Sequence, residues 1–168
     1  ADLVIAGDGE YAETLKAEAA GMDNVRFLGR VAPEELRRYY EHAIALVVPS
    51  VCFETFGIIL IEAFKQGTPV IARRIGPFPE IVAASGGAEL FTTREELANT
   101  IRRLQEEPAE RQALARAGYR GFLVHWTERA VVPRYLGIVR RAAERKGDRG
   151  ILSKLEPRPV AASALQAG

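Results

Sequence analysis

Between Leu3 and Phe91, short apolar runs alternate with stretches of helical periodicity, and this alternation admits few architectures. Leu3–Ala6, Asn24–Leu28, Ala43–Val48, Pro69–Ala72 and Ala88–Phe91 read as strands. Tyr11–Ala20, Pro33–His42, Gly57–Gln66 and Pro79–Ala84 read as the helices that connect them. Thr93–Gln105, Pro108–Tyr119 and Thr127–Lys146 read as helices that follow, the last with Pro133 as an early irregularity. Strands that are apolar throughout, rather than alternating, need cover on both faces. The pattern therefore predicts an α/β chain with a doubly wound parallel sheet. Such sheets bind ligands outside the carboxyl ends of their strands.

A chain of 168 residues is long enough for one domain with its own core. We expect that domain to cover residues 1–146. Gly147–Gly168 is rich in Gly, Pro, Ala and Ser without periodicity and reads as a flexible tail. The net charge of +1 offers no reason to expect nucleic acid as a partner. Cys52 is the single cysteine, which excludes an internal disulfide and suits a reducing, cytoplasmic setting. It reads as a small buried hydrophobe rather than a nucleophile. The apolar runs are far shorter than a membrane span, and no basic leader precedes Leu3. A chain that opens on a strand is expected to begin inside a domain.

The most informative segment is Glu54-Thr55-Phe56-Gly57-Ile58-Ile59-Leu60-Ile61-Glu62. It starts in a loop after a strand and enters a helix near Gly57. The unpaired N–H groups of a helix start, with its dipole, make an anion site, and glycine lets a phosphate approach the backbone. Glu62 is the one carboxylate among apolar neighbours that should be mostly buried, so it needs a hydrogen-bond donor or a cleft to face. Ribose hydroxyls would serve. The bland alternatives are that Glu54 caps the helix and that Glu62 faces solvent. A glycosidase-type carboxylate pair fits poorly. In a continuous helix the two acids would lie about 12 Å apart, beyond the roughly 5–9.5 Å such mechanisms use.

Taken in order, several segments resemble the C-terminal domain of the glycogen-synthase-like, group 1 retaining glycosyltransferases of family 4, which have the GT-B fold. They are Leu3–Gly9, Val25–Val31, Pro49-Ser50 with Glu54–Glu62, Gly67–Val70, Pro79–Val82 and His125–Thr127. The resemblance implies a Rossmann-like C-terminal half of a GT-B fold that lacks its first strand. It implies an enzyme half that binds the donor for hexose transfer from a UDP-, GDP- or ADP-sugar. Glu54 would lie at the reaction centre and Glu62 on the ribose. Thr55 and the backbone at Phe56, Gly57 and Ile58 would meet the diphosphate or sugar. Gly29, Arg30 and Val31 would flank the base, and Gly7 would let the chain pass close to the donor. No metal and no cofactor are implied.

The departures matter as much. The basic pair with which the family clamps the diphosphate has no counterpart here; Arg30, Arg73 and Arg74 do not occupy the matching positions. The N-terminal acceptor-binding domain is also missing, so the chain alone is expected to be inactive. A peripheral membrane contact of a full enzyme is compatible with all of this. Two other readings stay open. One is an NAD(P)-binding oxidoreductase domain, because Gly7–Ala12 follows a strand and opens a helix as a dinucleotide fingerprint would. The other is a non-catalytic module that binds nucleotide sugar.

Overall fold

The computed structural model describes residues 1–52 and 54–156. By internal contacts the chain divides after His125 into a first unit, Ala1–His125, and a second that opens at Trp126.

The first unit alternates β1 (Leu3–Ala6), α1 (Ala12–Glu18), β2 (Val25–Gly29), α2 (Pro33–His42), β3 (Leu46–Val48), α3 (Ile58–Lys65), β4 (Val70–Arg73), α4 (Phe78–Ser85) and β5 (Ala88–Phe91). It closes with α5 (Arg94–Glu106) and α6 (Pro108–His125). All strand pairings are parallel, but they fall into two sheets: β1 with β2, and β3-β4-β5 in that order. β3 is shorter than the apolar run that encodes it.

The core surrounds β4. Val70, Ile71 and Ala72 are fully buried, and Leu60, Phe64, Phe78, Phe91 and Leu104 close over the same sheet. Among the described residues β4 alone has a strand on each side, so its apolar residues gain the most from burial. By contrast, no residue from Ala1 to Val47 is buried.

α6 contains Gly118 and runs six residues past Tyr119, through Gly121; glycines by propensity weaken a helix by about 1 kcal/mol each. Packing outweighs that cost. A Cβ at Gly118 would meet Phe64 Cδ1 at 2.7 Å, and one at Gly121 would meet Ser85 Cα at 2.6 Å. The two glycines let α6 lie directly on α3 and α4.

α5 starts with a capping box: Thr93 Oγ1 accepts from the Glu96 amide at 3.1 Å, and Glu96 Oε2 accepts from the Thr93 amide at 3.2 Å. The Thr92 amide also donates to Glu96 Oε2 at 2.6 Å, and the Thr92 and Thr93 amides hold the Glu96 carboxyl below the usual range.

The second unit holds α7 (Glu128–Lys146), which carries Pro133 without breaking, and α8 (Arg149–Lys154). α8 lies within the stretch from Gly147 onward that was expected to be a flexible tail. Asp148 caps it by accepting from the Ile151 amide at 3.0 Å, and Arg140 Nη2 donates to the Leu155 carbonyl at 3.1 Å. Where that expectation concerned residues 157–168, it lies outside the described residues.

Candidate functional site

The candidate residues all follow the carboxyl ends of parallel strands. Gly7 follows β1, Gly29 ends β2 with Arg30 and Val31 beyond it, and Glu54–Gly57 lie between β3 and α3. The first group is joined directly: the Gly7 amide donates to the Gly29 carbonyl at 2.7 Å. Gly7 has φ 133° and Gly29 φ 64°, with open space where a Cβ would stand at each. Arg30 is exposed and Val31 half-buried. The second group follows β3 of the three-stranded sheet. Shallow clefts along α6, one lined by Ser85 and Gly121 and another by Lys65 and Arg116, involve none of these residues.

Gly57 is the hinge of the second cluster. It sits at the N-cap of α3 with φ 81°, a left-handed conformation that glycine adopts freely. Phe78 closes over it: a Cβ on Gly57 would stand 2.7 Å from Phe78 Cε1 and 3.3 Å from Ile81 Cδ1. Shape and backbone angle thus both require glycine. The following loop supports Glu54 in the same way, since a Cβ on Gly76 would stand 3.2 Å from the Glu54 carbonyl oxygen. At the strand ends Arg73 Nε donates to the Pro49 carbonyl at 3.2 Å, and its guanidinium lies 5.1 Å from the Phe91 ring centroid. Gly76, Phe78 and Arg73 were not singled out as site residues. The signal was the glycine-led run Gly76-Pro77-Phe78, in which Phe78 is buried, legible only once Phe78 is seen against Gly57.

No side chain caps α3, and no acidic residue stands in its first turn. Glu54 is therefore not a helix cap. It is half-buried in the loop, beside the exposed Thr55 and Phe56. The first turn of α3 is more open than its composition predicts: Leu60, Ile61, Ala63 and Phe64 are buried, but Ile58 is 64% exposed. With Val51 and Phe56, Ile58 forms an exposed apolar rim around the helix start. Cys52, expected to be buried, is exposed in the same loop.

Glu62 lies on the exposed side of α3, between the buried Ile61 and Ala63. Its partner is Tyr40, whose hydroxyl donates to Glu62 Oε2 at 3.4 Å. Burial, together with the Glu62 charge, pushes the Tyr40 hydroxyl up to about 12. The Thr68 hydroxyl in turn donates to the Tyr40 carbonyl at 2.7 Å. Among the described residues no three His, Cys, Asp or Glu side chains gather as metal ligands. No helix there is long and apolar enough to cross a membrane.

Residues 1–121 match the family model described as glycosyl transferases group 1. The chain is 30% identical over 135 residues to a GDP-mannose-dependent monoacylated α-(1-6)-phosphatidylinositol monomannoside mannosyltransferase of Corynebacterium glutamicum, covering 76% of this chain and 35% of that protein. Among solved structures it resembles a sucrose-phosphate synthase from Thermosynechococcus elongatus, with TM-score 0.72, 29% identity, and 85% of this chain covering 38% of that one. It also resembles Anabaena HepE in complex with UDP-glucose, with TM-score 0.65, 25% identity, and 72% of this chain covering 35% of that one. The chain spans 16% to 35% of the length of the curated relatives it matches. Its architecture is that of the Rossmann-like, C-terminal half of a GT-B fold.

Proposed function

This chain belongs to the group 1 glycosyl transferases, and from that premise we propose that it is the donor-binding half of a retaining, family 4 hexosyltransferase. The observation that carries the reading is the start of α3. An uncapped helix N-terminus at Gly57 directs its amides to the carboxyl edge of the sheet, with Glu54 ahead of it and Glu62 one turn behind. The amides and dipole suit the diphosphate, the leaving group of the transfer. In that reaction the bond from the sugar C1 to the diphosphate oxygen breaks and a bond from C1 to an acceptor oxygen forms.

In this reading Glu54 stands at the sugar and Glu62 accepts from the ribose hydroxyls. Thr55, Phe56 and Ile58 border the diphosphate, Gly29, Arg30 and Val31 the base, and Gly7 the passing donor. Backbone groups dominate, so these residues do not select the base. The names of the relatives include both GDP-mannose and UDP-glucose. The exposed rim of Val51, Phe56 and Ile58 suits closure by an acceptor-binding domain. Without that domain and a basic clamp on the leaving group, the isolated chain binds donor but does not turn over. Preorganised charge stabilisation of this kind is commonly worth about a thousandfold in rate. No metal or cofactor is required, and the setting is cytoplasmic. The oxidoreductase alternative loses support, because the family assignment accounts for Glu54–Glu62 and a hydride-transfer reading does not.

The test is calorimetry of the chain with UDP, GDP and ADP, with and without chelator, and with reduced nicotinamide dinucleotide as a control. We expect weak binding of at least one nucleoside diphosphate, indifferent to chelation, and no binding of the dinucleotide. Binding lost on chelation would overturn the metal-free reading, and transfer by the isolated chain at ordinary enzyme rates would overturn the half-enzyme reading.

A further inference from the structure

α7 differs from α1 and α2 in where its charges lie. Those helices pair their bases with acids a turn away: Lys16 with Glu13 and Arg37 with Glu41, each at 2.7 Å. Between Glu128 and Glu144, α7 carries Arg129, Arg134, Arg140 and Arg141 and no acidic residue. Among the described residues no ion pair joins Arg129, Arg134 or Arg141. The charge of the whole chain is segregated to match. Residues 1–125 hold 14 Lys and Arg against 18 Asp and Glu, net −4, and residues 126–168 hold nine against four, net +5.

The same helix has an apolar side left open. At 3.6 residues per turn Val131, Tyr135, Ile138 and Ala142 share one face, and Val132, Leu136, Val139 and Ala143 adjoin it. Toward the end of α7 this side closes: Ala143 is buried, and α8 returns to give Arg140 the Leu155 carbonyl. Nearer the start Val131, Val132 and Leu136 are exposed, Ile138 is 57% exposed and Tyr135 63%. Arg134 and Arg141 run along one border of the apolar strip, Arg129 and Arg140 along the other. Such a strip calls for cover, and the charges choose among the occupants. A second copy laid face to face would bring arginine borders together. An anionic lipid surface answers both features at once, with acyl chains beneath the strip and phosphates along both borders. Tyr135 adds an apolar ring with a polar tip, a form that settles at the headgroup level.

We propose that α7 lies flat in an anionic phospholipid surface. Val131, Tyr135 and Ile138 are buried at the boundary between headgroups and acyl chains, and Arg129, Arg134 and Arg141 meet lipid phosphates. The helix rests on the surface and does not span it, since no helix among the described residues is long and apolar enough to do so. Affinity combines burial of the strip with charge attraction, so neither a neutral bilayer nor a soluble polyanion replaces the surface. The contact is independent of what the start of α3 binds.

The test is co-sedimentation of the 168-residue chain with vesicles of phosphatidylcholine alone and of equal parts phosphatidylcholine and phosphatidylglycerol, at low and at physiological salt. The expected result is binding to the anionic vesicles only, weakened about tenfold or more by the added salt. Tyr135→Ser with Ile138→Ser, and separately Arg134→Gln with Arg141→Gln, should each lower that affinity by about tenfold or more. Unfolding midpoints should stay near the parent's, because all four positions are exposed. Met22→Ser, at an exposed apolar residue of the first unit, should leave vesicle binding unchanged. Equal binding to neutral vesicles, no binding to either, or unaltered affinity of the Tyr135 and Ile138 variant would overturn the proposal. So would a dimer in sedimentation equilibrium that this variant dissolves, which would assign the strip to a second copy. Binding to polyglutamate as tight as to the anionic vesicles would assign it to an acidic protein and likewise overturn the proposal. Calorimetry with nucleoside diphosphates on the same variants keeps the two readings apart. Nucleotide affinity should change with none of them, and a failure of the donor-binding reading leaves the vesicle result standing.

Discussion

Tyr40, in the last turn of α2, donates its hydroxyl to Glu62 in the middle of α3 at 3.4 Å, and Thr68 anchors the Tyr40 backbone at 2.7 Å. One hydroxyl thus ties the helix before β3 to the helix after it and holds one oxygen of the candidate ribose-binding carboxylate. Tyr40→Phe removes that donor with little loss of packing. The expected result is a change in stability below about 1 kcal/mol with a several-fold loss of nucleoside diphosphate affinity. Unchanged affinity would make the pair a purely structural tie.

The same pair sets a pH dependence. The folded-state value of Tyr40, about 12, lies above the ordinary 10, so the folded chain holds this proton where the unfolded chain releases it. The contribution is full below pH 10 and is lost as pH rises toward 12. For a half-buried, solvent-screened pair it amounts to on the order of 1 kcal/mol. Chemical denaturation at pH 9, 10 and 11 should show stability falling more steeply for the parent chain than for Tyr40→Phe.

The two acids should separate by ligand. Glu62→Gln keeps shape but loses the charge-assisted acceptor, and should weaken binding of a bare nucleoside diphosphate by about 1.5–3 kcal/mol, roughly ten- to a hundredfold. Glu54→Gln should leave that affinity within about twofold, because its proposed partner is the sugar. In an enzyme with its acceptor domain it should instead lower turnover by about two orders of magnitude. Titrations of both variants with the diphosphate and with the nucleotide sugar check this, and equal losses on the bare diphosphate would contradict the assignment.

Gly57→Ala introduces a Cβ at φ 81° and 2.7 Å from Phe78. Strain and overpacking together should cost roughly 2–4 kcal/mol and displace the amides at the start of α3. A double-mutant cycle with Phe78→Leu divides the two causes, since the smaller side chain relieves the contact and not the backbone angle. Unfolding midpoints of the four proteins give the answer, and an absence of coupling would remove Phe78 from the account.

Gly118→Ala provides the contrast. Its Cβ would meet Phe64 at 2.7 Å and Gly87 Cα at 3.3 Å, so we expect a loss of about 1–3 kcal/mol with nucleotide affinity unchanged at temperatures where the variant is folded. A fall in affinity equal to that of Gly57→Ala would show that the α3–α6 packing controls the site.

Much of the architecture was legible in the sequence. Strand runs such as Leu3–Ala6 and Ala88–Phe91, and the helix Pro33–His42 with its leading proline, lie where periodicity and punctuation put them. The loop-to-helix step at Gly57 was legible for the same reason, because a glycine ahead of an apolar helical run is a local signal. Less legible were the exposure of Cys52 and Ile58 and the helix at Arg149–Lys154, in a stretch whose composition favours loops.

From β1 to α7 the sequence by itself determined the order and kind of the elements, and so the edge on which a ligand site must lie, because hydrophobic period and turn chemistry act over a few residues. Tertiary structure alone decided that Tyr40 faces Glu62, that Phe78 closes over Gly57, that α6 continues past Tyr119 through Gly121, and that the sheet opens between β1 and β3. Each of these depends on atoms brought together across 20 or more residues of chain, or on a missing Cβ whose value lies in what packs against it, and no local pattern encodes such a contact.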